Sequence, residues 1–578
     1  MLFGVEKFIC KACNKPALVK FISFGKMPIA NAFLTKETLE KGEFYYNLDV
    51  GFCEECKMVQ LIEMPPYSKY IVPDDAGKTH YAFFSSTSKF MEKHFAEMAK
   101  EAEEKFLDEN SQVLDIGSND GILLKAFKNN KTLGIEPSDN VADVARTQGV
   151  ETISKFFTEE LAGKILAEKG NFKVIFSTNV LLSIIEIGSC MKGIERLLAN
   201  KGVFITEDPY IPEILEKVSY DQIYDAHVWY FSLTSLSNLF ERYGLEVFDA
   251  EKQWVHGGSM RVYACRKGDY PKTDRLKKYL QEEKEKDIDT IQPYLELSKK
   301  VEQSRIELKA LLRKLKDEGK KIVGYAAASK GTIVQNYCDI GRETLEYISD
   351  STPFKQGRFS PGKHIPIVSP EHFHEDNADY ALLSAWNHAE EIMQKESEFL
   401  KRGGRFIVHY PTPRILEPES TNKPSNNPNS EDFPGVEIKK LNVIANGQGY
   451  LFEVVRNDDN LFSGKFGQTL VSELYPGTIK GLHKHSKQTD YTTCIKGNIK
   501  YVLVDDSQEP AKIKVLTIGE KNSILVKTPP GYWHGYMPLA NEKATVLHLM
   551  DRTYNPKKPD TERKDAFAFG DVWTVRPS

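Results

Sequence analysis

Along most of the chain, apolar residues fall into short runs closed by glycine or an acid, and these runs alternate with amphipathic stretches. The clearest run, Val-Leu-Asp from residue 113, leads through Ile116 into Gly117-Ser118-Asn119-Asp120-Gly121. An unbroken apolar run bounded by turn residues predicts a strand buried on both faces, and the two glycines allow a tight turn that approaches a ligand. The pattern then predicts a helix at Ile122–Phe127, a strand at Thr132–Glu136, a helix at Asn140–Gln148, a strand near Gly149–Ile153, and strands at Val174–Asn179 and Gly202–Glu207. A charged amphipathic helix ending near Phe106 precedes them. Strands alternating with helices at this period predict a doubly wound parallel sheet with its ligand at the carboxyl ends of the strands. A second α/β lobe is predicted from Lys320–Ala326, Leu345–Asp350, Tyr380–Trp386 and Gly404–His409, and the Lys/Glu-rich span Tyr270–Glu318 between the lobes reads as solvated helices. After the proline-, asparagine- and serine-rich linker Glu417–Gly435, short strands with alternation in Asn498–Val504 and no convincing helix predict an antiparallel barrel or jelly roll.

The expected organisation is therefore α/β and multidomain: a small metal-knuckle domain over 1–75, a Rossmann-like cofactor domain over 76–270, a helical connector over 271–318, a second α/β lobe over 319–415, a linker over 416–435 and an all-β domain over 436–578. The length of 578 residues suits three or four such domains. A net charge of −5 with both signs well mixed argues against a nucleic-acid footprint or an anionic-membrane patch. No apolar run approaches the ~18 residues of a membrane span, and the start Met-Leu-Phe-Gly-Val-Glu-Lys does not read as a signal peptide, so a cytoplasmic protein is expected.

Of the eight cysteines, four stand as Cys10-Lys-Ala-Cys13 and Cys53-Glu-Glu-Cys56. Two such pairs bring four thiolates to one tetrahedral ion, and structural zinc is expected; a closed four-sulfur site leaves no position for substrate. At the predicted cofactor turn, Glu136 stands where an acid holds ribose hydroxyls. Asn119-Asp120 sets a carboxylate where a dinucleotide would want its pyrophosphate. The expected cofactor is therefore the cationic S-adenosylmethionine, held by Asp115, Gly117, Ser118, Asn119, Gly121 and Glu136. Asn179 closes a strand and reads equally as a cofactor contact or a turn former.

Proton-transfer groups cluster in Tyr220-Asp-Gln-Ile-Tyr224-Asp-Ala226-His227, followed by His256-Gly-Gly-Ser259, and His227 is the candidate base. In the second lobe, Ala327-Ala-Ser-Lys330-Gly331 occupies a strand-to-helix turn whose amides and lysine suit phosphates, with Lys355 as a further contact. In the all-β domain, His483 and His485 alternate on one strand and face the same side, and His534 lies in a turn-rich segment. Asp490 stands near where metal-binding versions of this pattern carry glutamate. Metal-free acid–base use is the favoured reading there, with a metal held through Asp490 or His534 as the alternative.

From Cys10 to about Pro411 these motifs, with Gly324-Tyr-Ala-Ala-Ala-Ser-Lys-Gly331 and Lys355-Gln-Gly-Arg358, resemble the nucleotide-sugar C-methyltransferases, which add a branch methyl at the 3-position of dTDP-4-keto-deoxysugars. The resemblance implies His227 as the base, Tyr224 and one of the Tyr81–Phe84 aromatics beside the sugar, and His256, Ser259, Lys330, Lys355 and Arg358 on the substrate. Two positions depart from that family: Ala226 replaces a glutamate beside the base, and Ser183 replaces a histidine. Loss of the carboxylate removes a group that orients the ring and raises its pKa, which implies an altered substrate or slower transfer. The C-terminal segment resembles the dTDP-4-keto-6-deoxyhexose 3,5-epimerases and the related ketoisomerases. In that likeness His483 is the base, Lys480 replaces an arginine, and His548 takes the place of the acid tyrosine. Single-centre epimerisation, a keto shift and a non-catalytic binding half all stay open at this point. The implied partner is a nucleotide-linked 4-keto sugar, with dTDP the first candidate carrier, and a homodimer through the barrel is expected by analogy.

Overall fold

The computed structural model describes residues 7–573 apart from 70–78, 80–83, 88, 254, 417–432, 442, 447–448, 458, 460, 463, 521, 540–542 and 556–557. The chain forms two compact units, Met1–Pro418 and Glu419–Ser578.

The first unit is built on a seven-stranded sheet in the order Leu245–Gln253, Ser259–Arg266, Leu198–Pro209, Phe172–Thr178, Gln112–Ile116, Lys131–Ile135, Thr152–Ile153. Neighbours from Leu198–Pro209 to Thr152–Ile153 pair in parallel, and Ser259–Arg266 runs antiparallel to both of its neighbours. The middle one of the five parallel strands is Gln112–Ile116, whose Val113 and Leu114 are wholly buried, as an apolar run covered on both faces must be. Chain order reverses across it, since the next strand lies on one side and Phe172–Thr178 on the other, so the crevice at its carboxyl end is the topological switch point.

The expected helix at Ile122–Phe127 does not form. A 3₁₀ turn at Leu124–Ala126 stands there, and helix Lys89–Phe106 packs behind it: Met98, Ala99 and Ala102 share a core with Leu123, Leu124 and Phe127. The span read as solvated helices also differs. Helix Gln292–Asp317 buries Tyr294, Leu297, Val301, Ser304, Leu308, Leu312 and Leu315, an apolar stripe at three- and four-residue spacing beneath a charged face.

The second lobe is a six-stranded sheet ordered Ile367–Val368, Ile348–Ser349, Ile322–Tyr325, Tyr380–Leu383, Arg405–Val408, Arg414–Leu416, parallel except for the last. The cysteine segment forms an antiparallel sheet with strands Leu18–Pro28, Tyr45–Cys53 and Val59–Leu61, and its far edge is completed by Trp229–Tyr230 from the cofactor domain. The knuckles are thereby stitched to the segment that carries His227.

The second unit has two five-stranded antiparallel sheets and, among the described residues, no α-helix. One sheet is ordered Glu437–Lys440, Ile524–Thr528, Asp490–Lys496, Ala544–Met550, Gln468–Leu474, and the other Lys512–Gly519, Asn498–Asp505, Trp533–Pro538, Lys480–His485, Thr561–Arg563. Cys494, Val526 and Val546 from the first meet Ile499, Leu503 and Tyr536 from the second in one core. No helix among the described residues is long and apolar enough to cross a membrane.

Candidate functional site

A cavity of about 240 Å³ opens at the switch point of the seven-stranded sheet. Of the expected cofactor residues, Gly117, Asn119, Glu136 and Asn179 line it. Gly117 has φ +76°, and a Cβ there would lie 2.3 Å from Val180 Cγ2, so only glycine fits both the turn and the packing. Glu136 accepts from the backbone amides of Asn119 (3.1 Å) and Ser138 (2.8 Å), which aims its carboxylate at the mouth of the turn. Asn179 has φ +56°, and its buried Oδ1 has no partner among the described residues. Among the described residues Glu136 and Glu186 oppose one ammonium, Lys155, in the lining, and Met91, Phe95, Phe156 and Phe157 supply apolar walls. This cradle fits a cationic nucleoside ligand with an apolar body. Gly117→Ala is expected to weaken S-adenosylmethionine binding at least tenfold, about 1.4 kcal/mol by calorimetry.

Asp115, Ser118 and Gly121 lie beneath the turn and not in the cavity lining. Asp115 is 2% exposed, and burial, aided by Glu136, pushes its carboxyl up to about 8. Ser118 fills the space over Gly134, where a Cβ would lie 2.4 Å from its Oγ, and a Cβ on Gly121 would meet Val150 at 2.9 Å. These three shape the loop. Asp120, read as a carboxylate at a helix N-terminus, is instead buried and accepts from the amide (3.0 Å) and hydroxyl (2.6 Å) of Ser86. The electrostatic preference it was expected to impose is therefore carried by Glu136 and Glu186. The sequence reading missed Tyr67 and Phe156, which stack at 4.5 Å in the cavity wall; nothing in their spacing marks them.

The His227 loop stands beside this cavity. Ala226 and Ser183, the two departures from the family pattern, both line it. The loop is held by Val228 N–H on Leu182 O (2.9 Å) and Trp229 Nε1–H on Ile184 O (2.7 Å). His227 Nδ1 lies 3.0 Å from the carbonyl of Gln222, which can only accept, so Nδ1 carries the proton and Nε2 faces the Tyr224 hydroxyl at 2.8 Å. A backbone carbonyl thus orients the ring.

Farther along the same unit, Lys330 Nζ sits 4.5 Å over the Trp386 ring, and buried Asp221 accepts from Trp386 Nε1 (2.6 Å). Burial lowers the pKa of Lys330, with Asp221 opposing the shift. Lys355 Nζ donates to Ala327 O (2.8 Å) beside Asp350, and Asp350 accepts from the Ala327 amide (2.7 Å). Both lysines therefore converge on the 327–331 turn. Arg358 donates one N–H to Phe33 O (3.2 Å), and the Ser259 hydroxyl donates to Val255 O (3.0 Å) at the base of a hairpin. Tyr81 and the side chain of His256 lie outside the described residues.

The four knuckle sulfurs come within 4.8 Å of one another, with Cys10–Cys56 and Cys13–Cys53 at 3.6 Å. Tetrahedral zinc with bonds of about 2.3 Å needs sulfurs about 3.8 Å apart, and a disulfide needs about 2.05 Å. The donor set fits zinc.

In the second unit His483, His485, His534 and Asp490 form a cluster whose ligand atoms also lie within 4.8 Å. Beside it, Tyr536 Oη is 2.7 Å from His548 Nε2, and His548 Nδ1 is 3.2 Å from Thr492 Oγ1. Burial pushes His548 down to about 4, so it is neutral near pH 7 and shares a hydrogen bond with the Tyr536 hydroxyl. Tyr536 was missed as a site residue: it directly precedes a residue of no chemistry, and only the pairing of Lys480 with Tyr536 and of Thr492 with His548 shows where both rings lie. Lys480 is exposed, with Nζ 5.7 Å over the Tyr536 ring.

Comparison with known proteins covers both units. Residues 10–70 match the family described as "Putative zinc binding domain", 84–250 "Methyltransferase domain", 254–411 "C-methyltransferase C-terminal domain" and 430–576 "dTDP-4-dehydrorhamnose 3,5-epimerase". The chain is 34% identical over 416 residues to the C-methyltransferase NovU of Streptomyces niveus, covering 71% of this chain and 97% of that protein. It is 38% identical over 132 residues to the spore coat polysaccharide biosynthesis protein SpsL of Bacillus subtilis, covering 22% of this chain and 87% of the relative. It is also 30% identical over 140 residues to a protein of Haloferax volcanii named "Probable low-salt glycan biosynthesis epimerase Agl13", covering 24% of this chain and 88% of the relative.

Proposed function

The chain belongs to the C-methyltransferase family, and from that premise we propose a bifunctional enzyme of branched deoxysugar synthesis that methylates a nucleotide-linked 4-keto-6-deoxy sugar at C3 and epimerises a keto sugar in its C-terminal barrel. The observation that carries the first half is the Tyr224–His227 pair beside a cavity built on Gly117, Glu136 and Asn179. S-adenosylmethionine in that cavity supplies the electrophilic methyl group that the sugar carbon receives. His227 Nε2 takes the proton from the carbon next to the ketone and displaces the Tyr224 hydroxyl, which then donates to the enolate oxygen. Gln222 O keeps the ring in the tautomer whose Nε2 carries the lone pair for this task. Lys330 and Lys355, both at the 327–331 turn, hold the diphosphate of the substrate. Zinc at Cys10, Cys13, Cys53 and Cys56 holds the N-terminal sheet.

In the barrel we assign proton transfer to Tyr536 and His548, since theirs is the short O–H···N contact, and place the sugar carbonyl at His483, His485 and His534. The test measures solvent deuterium entering a dTDP-4-keto-6-deoxyhexose in D₂O, in a His227→Ala background so that enolisation in the methyltransferase half does not contribute. Exchange is expected, and His548→Ala is expected to slow it about 100-fold. Exchange at the same rate in His548→Ala rejects this pair.

A further inference from the structure

The four-residue cluster in the barrel is arranged as a metal site. Its three imidazoles come from two neighbouring strands, Lys480–His485 and Trp533–Pro538, and the carboxylate from Asp490–Lys496 in the facing sheet. His483 Nδ1 is 3.3 Å from Gly481 O, His485 Nδ1 is 2.8 Å from Asp560 O, and His534 Nδ1 is 3.2 Å from Tyr532 O. A carbonyl only accepts, so each Nδ1 carries a proton and each Nε2 points the other way. Backbone carbonyls on the outer nitrogens are how ligating histidines are held.

The inner atoms meet Asp490. Its Oδ2 is 3.1 Å from His534 Nε2 and 3.5 Å from His485 Nε2, and Gln488 Nε2 donates to its Oδ1 at 2.7 Å. His485, His534 and Asp490 are all buried. A cation between them would meet three imidazole nitrogens and a carboxylate oxygen, and would take the place of a proton shared between Asp490 and His534 or His485. Ligand atoms within 4.8 Å of one another suit an ion with bonds near 2.1 Å, whose opposite ligands stand about 4.2 Å apart.

We propose that the barrel holds one divalent first-row transition ion through His483, His485, His534 and Asp490. Three imidazoles and one carboxylate form a nitrogen–oxygen set that suits Mn, Fe, Co, Ni or Zn and not the all-oxygen shell of calcium. Four protein ligands leave room on a five- or six-coordinate ion for a substrate oxygen. An ion there polarises the sugar carbonyl and acidifies the neighbouring C–H, while Tyr536 and His548 move the proton. The site deepens the barrel reading above, but metal content is measured without substrate, so the two can fail separately.

Manganese is the probe, because its preference for nitrogen and oxygen leaves the four-cysteine site unused. Full-length, chelator-treated protein is titrated with Mn²⁺, and the free-ion electron spin resonance signal is followed. One ion bound per chain is expected in the wild type, with affinity about 100-fold weaker or lost in the His485→Gln/His534→Gln double variant. No Mn²⁺ bound by the wild type, or equal binding by a variant whose barrel unfolds at the wild-type temperature, overturns the proposal. On the unaltered chain, echo modulation of the bound Mn²⁺ should report coupled imidazole ¹⁴N; an ion with oxygen ligands alone also overturns it.

Discussion

His227→Ala lowers the methyl-transfer rate by about 10²–10⁴-fold, the range a positioned general base contributes. The substitution removes the imidazole bonded to Tyr224 at 2.8 Å and leaves the cavity lining among the described residues unchanged, since His227 is not part of it. Cofactor affinity by calorimetry should therefore stay within about threefold of wild type, under 1 kcal/mol. The loss should fall on kcat, because proton removal is made only in the transition state. A variant that keeps its rate, or one that loses cofactor binding in step with activity, removes His227 from the reaction.

The second large effect comes from a residue that touches no substrate. Cys53→Ser takes one thiolate from the four-sulfur cluster. Structural zinc contributes about 10–16 kcal/mol to small domains at pH 7, which exceeds the stability of most whole domains. The N-terminal sheet is expected to come apart without it. The damage does not stop there: Trp229 pairs with Gln60 and Tyr230 with Val59, and Leu61 N–H donates to Val228 O at 3.0 Å. Gln60 Oε1 in turn accepts from the Lys11 amide, next to Cys10. Metal, sheet and base are thus one hydrogen-bonded chain, and zinc loss should abolish methyl transfer while barrel exchange persists. Zinc analysis beside both assays checks this, and a zinc-free variant that still methylates contradicts it.

What could be seen in the sequence was what lies close together in it. The knuckles are legible because each pair of thiolates is placed by one turn, and strand Gln112–Ile116 because a run buried on both faces leaves no polar positions. Gly117 and Glu136 are legible for a similar reason, as the end of one strand and the end of the next. The reading failed where distant segments compete. Ile122–Phe127 carries enough apolar residues for a helix, but helix Lys89–Phe106 occupies that side of the sheet, and a 3₁₀ turn suffices to bury Leu124. In Gln292–Asp317 the abundance of lysine and glutamate hid a stripe that runs from Tyr294 to Leu315. Arg358 and Ser259 each donate to a backbone carbonyl, a partner that spacing does not reveal. Period-two alternation placed His483 and His485 on one face and the motif offered Asp490 and His534 as partners, but only the fold shows His534 paired beside His483 and Asp490 reaching them from the facing sheet.

The most direct measurement of the whole account is mass spectrometry of a dTDP-4-keto-6-deoxyhexose incubated with the full-length chain and methyl-labelled S-adenosylmethionine in D₂O. The expected product carries one labelled methyl on the carbon beside the ketone and solvent deuterium at an epimerised ring position. A sugar recovered without labelled methyl, from protein that still binds the cofactor, would contradict it.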